Sequence, residues 1–410
     1  MISRRTVLRA GLGVALAPLA GCSESLAAPA STYIGRYLLY RHPTNSDFTR
    51  MPQRRLAASA NPFVWPSASP PAPLDKLVVQ VRANEPKVAL PKLLANTGTT
   101  ALVVLHNGRL AWEHYPNGGS RDRMNRCFSV TKSFASALVG ATIREGAIDS
   151  IDSSIGRWIP QLRDARVRKL TLAHLLEMRS GIRFVEGVWP WDDEPRTYYA
   201  NDMRKRLLNV EITDPIGKFF HYNDWHPQLL SLILERATGS TVTQWLQDQL
   251  WTPLGMEYSA SMMVDRDDQA GVEHLESGLS ATAVDLAKFG QLYLQDGVWQ
   301  GKRLLPEGWV RDTTSPQEVR TDSEWFAYYR KRPWGRVFAS GRTYYKRMWW
   351  GVRLDEHRYD YFAMGVLGQH IYVSPDLQTV VVRLSDRFPP GVWWASAFRQ
   401  IAEATAARSS

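Results

Sequence analysis

Ser129-Val130-Thr131-Lys132 sets a hydroxyl and an amine three residues apart, and on a helix that spacing puts both on one face. A serine hydroxyl attacks a carbonyl only when a neighbour takes its proton. A lysine with the ordinary pKa of about 10.4 is charged at neutral pH and cannot take it, whereas burial near a second cation or a dipole favours the neutral amine. The run that follows, Phe134 to Ile143, is small and apolar nearly all round, which predicts a helix buried at the centre of a domain. The N-terminus of that helix offers free backbone N–H groups to an oxyanion. Composition alone predicts about one chance match to this motif in a chain this long. Its context separates it from a capped surface helix, and it is the only Ser-x-x-Lys in the chain.

The elements around it read as strands at both ends and helices between. Ala101–Leu105 and Leu110–Tyr115 flank Asn107-Gly108, a hairpin signal. His370–Val373 and Thr379–Leu384 flank Ser374-Pro375-Asp376-Leu377, a second hairpin. In the middle third, Thr241 with Gln244 and Thr282 with Asp285 are expected as helix caps, the first as a capping box, with Gly239 and Gly297 at helix stops. The expected fold class is α/β (α+β): an antiparallel sheet built from N- and C-terminal strands and flanked by helices, with a mostly helical lobe inserted over about 150–275.

Several further segments, in order from Leu102 to Leu384, resemble the β-lactamase-related serine hydrolases, the class C β-lactamase and penicillin-binding-protein type. Leu170-Thr171-Leu172-Ala173-His174-Leu175-Leu176, ending in Ser180-Gly181, is similar to that family's Leu-Thr-x-x-His-Leu-Leu signature. His174 is expected to pack the helical lobe rather than to react. Tyr222-Asn223-Asp224 resembles the family's Tyr-x-Asn element, which makes Tyr222 the second proton-handling group beside Lys132. The third position departs from the pattern: a carboxylate at Asp224 would hold Lys132 charged unless it points away or is itself neutralised. Where the family has Lys-Thr-Gly, this chain has Ala363-Met364-Gly365. The missing cation predicts poor binding of β-lactams and acyl-D-Ala-D-Ala. By the same resemblance Gly365 admits a close backbone approach, and the Val366 N–H joins that of Ser129 as the oxyanion donors.

Gly365 to Pro375, with its Gly-Gln-x-Ile-Tyr-Val-Ser-Pro run, is more similar to the branch holding aminohexanoate-dimer (nylon-oligomer) hydrolases and related carboxylesterases. That branch implies a loop of aromatic residues over the substrate, a role that falls here on Trp189–Glu194 with Trp191, and on Tyr198-Tyr199. The implied reaction is cleavage of an ester or small amide through a Ser129 acyl-enzyme, with no metal or organic cofactor. Two alternatives fit the same residues: a D-Ala-D-Ala carboxypeptidase or β-lactamase acting on cell-wall substrates, and a surface lipoprotein that binds with a degenerate pocket. No His-Glu-x-x-His, Gly-rich phosphate loop or Gly-x-Ser-x-Gly elbow competes with this assignment.

The chain begins with Arg4-Arg5, an uncharged stretch from Ala10 to Ala20, and Leu19-Ala20-Gly21-Cys22. That stretch is too short for a bilayer-spanning helix and resembles a twin-arginine lipoprotein signal over 1–22, with lipid on Cys22. Residues 23–73 are polar and Pro-rich and are expected as a tether to a hydrolase domain over 74–410. The expected location is exported and membrane-anchored through that lipid. Loss of Arg4, Arg5 and Arg9 lowers the formal charge from +10 to +7. The basic residues are scattered, and no Lys/Arg run interleaved with aromatics argues for nucleic acid. With Cys22 lipidated no internal disulfide remains, and Cys127 is expected as a small buried hydrophobe.

Overall fold

The computed structural model describes residues 30–69, 73–81, 86–329, 338, 340–387 and 394–407. The signal expected over 1–22, with Cys22, lies outside the described residues. The elements that carry the argument are, in chain order, α1 (Tyr33–Tyr40), β1 (Gln53–Leu56), β2 (Thr99–His106), β3 (Arg109–His114), α2 (Thr131–Arg144), α3 (Trp225–Thr238), β4 (Ala260–Met263), β5 (Leu279–Ala281) and α4 (Ala283–Leu294). They continue with β6 (Thr343–Lys346), β7 (Trp349–Arg353), β8 (Tyr359–Gly365), β9 (Gln369–Ser374), β10 (Thr379–Ser385) and α5 (Trp394–Ala406).

Seven strands form one antiparallel sheet in the order β6-β7-β8-β9-β10-β2-β3, so the N-terminal hairpin joins the C-terminal meander along β10 and β2. Both expected hairpins form, and Asn107 and Gly108 take the left-handed backbone (φ 50 and 70°) that a tight two-residue turn needs. Side chains alternate across β9: His370 and Tyr372 meet Phe398 of α5, while Ile371 lies against Gly290 of α4. The sheet is therefore covered on both faces, which is why β9 and β10 are buried throughout rather than alternating. A Cβ on Gly290 would come within 2.6 Å of Val380, so glycine here sets how closely α4 seats.

Residues 150–275 carry α3 and a series of short helices, and also β4 of a second, four-stranded sheet in which β1, β4, β5 and Asn125–Arg126 pair. Thr241 and Thr282 cap their helices. The capping box does not close, because the Gln244 amide donates to Asp248 instead of turning back.

The tether expected over 23–73 is overturned across residues 30–69, which pack onto the domain. Arg36 of α1 is buried and donates to the Ala200 and Asp265 carbonyls at 2.8 and 2.7 Å. β1 pairs with β4, and Trp65 is buried with its indole N–H donating to the Val284 carbonyl. The proline content misled because Pro66 needs to offer only its carbonyl: it accepts from Leu110 N–H, and Ala68 N–H donates back to Leu110. That is edge pairing, which proline tolerates.

Candidate active site

Ser129 sits in a single 3-10 turn, Phe128–Val130, directly before α2. The turn is pinned from behind: Cys127 N–H donates to the Leu279 carbonyl at 2.8 Å, and Leu279 N–H donates to the Thr131 hydroxyl at 3.1 Å. Phe128 holds φ 49°, a left-handed backbone unfavourable for an aromatic residue, and such strain persists where surrounding structure over-determines it. Cys127 is fully buried, as expected, and burial pushes its thiol pKa up to about 12.

Gly365, the last residue of β8, presses against this turn. A Cβ there would lie 2.3 Å from the Cys127 carbonyl oxygen and 3.2 Å from Ser129 N. Only glycine lets the strand end and the Ser129 N–H come together. Gly365→Ala is expected to force a backbone shift at both, costing about 1–3 kcal/mol as overpacking does and removing turnover. Thermal unfolding and ester assays of the variant check both effects.

Lys132, on the first turn of α2 and 1% exposed, donates to Ser129 Oγ at 2.8 Å and to the Glu276 carbonyl at 2.8 Å. Its Nζ also meets Asp224 Oδ1 at 2.9 Å and lies 4.8 Å from the centre of the Tyr222 ring. The two influences on Lys132 left open by the sequence, burial and the Asp224 carboxylate, meet here, and Asp224 points in. Burial does work against the charge, but Asp224, with Tyr222 and Glu276 behind it, outweighs burial and holds the ammonium above the ordinary lysine range. Asp224 itself is raised by its own desolvation, against the pull of Lys132. The site rests as an ammonium paired with a carboxylate of raised proton affinity.

Tyr222 and Asp224 reach this point because Tyr222-Asn223-Asp224 turns into α3. Buried Asn223 fixes the turn, donating to the Ile182 carbonyl and accepting from Trp225 N–H, both at 2.9 Å. The Tyr222 ring stacks on Trp350 and meets Tyr345 edge-on. Its phenol is raised by burial, while the Lys132 charge and hydrogen bonding to Ser129 and Lys132 pull the other way.

Ser129, Tyr222, Asp224, Gly365 and Val366 all line one cavity of about 700 Å³. Its walls are largely aromatic: Phe128, Phe184, Trp189, Tyr198, Tyr199 and Trp350. Tyr199 is buried, and its hydroxyl has no partner among the described residues. Trp191 is a correction. It does not line the cavity but stands 62% exposed, stacked on Trp189, because the Trp189–Asp192 turn directs it outward. His174 has a capping role, its Nδ1 accepting from Thr171 N–H at 3.1 Å. Among the described residues no group of three or more His, Cys, Asp or Glu is arranged to hold a metal ion.

Sequence reasoning missed one wall. Tyr37, Arg41, His42 and Pro43, from the segment taken for a tether, border the cavity. The available signal was Tyr33, Tyr37 and Tyr40 at helical spacing.

The family model described as beta-lactamase matches residues 90–406. The 6-aminohexanoate-dimer hydrolase of Paenarthrobacter ureafaciens is 27% identical over 365 residues, spanning 84% of this chain and 88% of its own. Among solved structures, a Bacillus anthracis protein provisionally assigned as a 6-aminohexanoate-dimer hydrolase superposes with a TM-score of 0.74 at 24% identity, covering 91% of this chain and 95% of that one. A penicillin-binding protein from Bacillus halodurans gives a TM-score of 0.57 at 16% identity, covering 78% and 99%.

Proposed function

This chain belongs to the beta-lactamase family and is a serine hydrolase, and from that premise we propose that it cleaves linear amides or esters through an acyl-enzyme on Ser129. The observation that carries the reading is the contact of buried Lys132 with Ser129 Oγ at 2.8 Å and with Asp224 at 2.9 Å. As Oγ bonds to the carbonyl carbon, its proton passes to Lys132 Nζ while Nζ hands one to Asp224, whose burial has raised its affinity for it. The N–H groups of Ser129 and Val366 receive the oxyanion. The intermediate then collapses, the proton held by Asp224 returns through Lys132 and Tyr222 to the leaving group, and the carbonyl is left as an ester of Ser129. Water enters and gives up its proton by the same route, and Ser129 leaves with its hydrogen restored.

The substrate class follows from the walls. The aromatic cavity suits an extended apolar chain, and the unpartnered Tyr199 hydroxyl supplies a hydrogen bond to its polar centre. Ala363 stands where a carboxylate-binding lysine would make the site a D-Ala-D-Ala carboxypeptidase or β-lactamase. The 6-aminohexanoate dimer named for the Paenarthrobacter relative has the right form, an amide between two flexible alkyl chains, and is the first amide to test. The enzyme is exported and anchored through Cys22. Turnover of that dimer and of short-chain nitrophenyl esters, with no lasting adduct from labelled penicillin, is the expected outcome. Stable penicillin acylation without amide or ester turnover would transfer the assignment to the cell-wall reading.

A further inference from the structure

The outer face of α1 is apolar where a solvent-facing helix should be polar. Tyr33, Arg36, Tyr37 and Tyr40 turn toward the domain, and the opposite side presents Ile34, Leu38 and Leu39 at 50, 64 and 50% exposure with no charged residue between them. Next to it, the Trp189 turn presents Val188, Trp189 and Trp191 at 69, 59 and 62% exposure, the two indoles stacked. The two parts are tied together: the Tyr33 hydroxyl donates to the Pro190 carbonyl at 2.6 Å and the Tyr37 hydroxyl to Val188 at 2.9 Å. Six of the ten large apolar side chains that stand exposed among the described residues thus belong to two segments joined by hydrogen bonds. A cluster of that kind marks an interaction surface.

Its composition and position fit a lipid surface. Aliphatic side chains on a short helix, with stacked tryptophans alongside, are the groups that enter the headgroup and acyl boundary. Arg41, exposed at the end of α1, adds positive charge at its edge. Tyr33 lies eleven residues after Cys22, a separation that chain geometry limits to about 40 Å. A lipid on Cys22 would keep α1 within that distance of the bilayer. Val188 and Trp189, exposed on the Trp189 turn, also line the cavity, as does Tyr37 from the inner face of α1.

We infer that Ile34, Leu38, Leu39, Val188, Trp189 and Trp191 form a membrane-docking face that seats the cavity mouth against the lipid surface. Docking makes a second contact beside the covalent anchor, and orients the site toward substrates that partition at the interface. It rests on the anchored-lipoprotein reading of Cys22, and its test is independent of that anchor.

The test is flotation of residues 23–410, which include every described residue and lack Cys22, with vesicles of phosphatidylethanolamine and phosphatidylglycerol in equal parts. Parent protein is expected to float with the vesicles. Leu38→Glu/Leu39→Glu, and separately Trp191→Ser, are expected to lower the bound fraction at least tenfold, with the thermal midpoint and soluble-ester turnover of the double variant unchanged. Parent protein that stays unbound, or folded variants that bind as well as the parent, would overturn the docking face. A parent dimer in light scattering that Leu38→Glu/Leu39→Glu dissolves, without vesicle binding, would overturn it in favour of a second copy. Palmitate labelling of full-length protein against Cys22→Ser tests the anchor separately, so either contact can fail while the other stands.

Discussion

Asp224→Asn is expected to lower acylation at neutral pH by about 10²–10⁴-fold, the range for loss of a positioned proton acceptor. Lys132 cannot be the terminal base while Asp224 holds it as an ammonium. The proton that leaves Ser129 must then travel on, and Asp224, 2.9 Å from Nζ and raised by desolvation, is placed to take it. The amide of asparagine keeps the shape and the contact with Nζ but accepts no proton. The sign of the pH dependence follows. Asp224 must be ionised before the reaction, so activity falls as pH drops through its raised pKa, above the ordinary carboxylate value of about 3.9. In Asp224→Asn that limb disappears, and the remaining activity follows loss of the Lys132 proton instead. Rate–pH profiles of the two proteins decide the matter. Equal or greater activity in the variant would make Lys132 alone the base and return the site to the Tyr-x-Asn pattern.

The chemistry was more legible than its surroundings. Ser129 sits on the 3-10 turn that leads directly into the helix of Lys132, so their spacing of three already places them together, and the apolar run after them foretells burial. The hairpins were equally local, each read from a turn signal between two apolar runs. Tyr222, Asp224 and Gly365 come from distant elements, and only the resemblance of their motifs brought them to the same point. What no local pattern carries is the direction of a side chain on a turn, which sent Trp191 outward and brought Trp189 to the cavity. The segment 30–69 was misread for a physical reason: its contacts are single long-range anchors such as Arg36, Trp65 and the pairing of β1 with β4. None of them leaves a periodic trace long enough to outweigh the composition of a linker. The charge state of Lys132 was open for a related reason, since it depends on whether Asp224 points in or away.

Ser129→Ala is expected to abolish turnover, because alanine has no atom that can bond to the carbonyl carbon and no other group takes its place in the reaction. Removing the nucleophile of such a site leaves only the oxyanion donors and binding, and losses on the order of 10⁴-fold or more are usual. The fold should survive, since the hydroxyl is an acceptor for Lys132 at the cavity wall rather than part of the core. The measurement that bears most directly on the central claim is intact-protein mass after treatment with a fluorophosphonate, for the parent and for Ser129→Ala. A single adduct on the parent, mapped by peptide sequencing to Ser129 and missing from the folded variant, is the predicted result. No adduct on folded parent protein, or an equal adduct on Ser129→Ala, would contradict it.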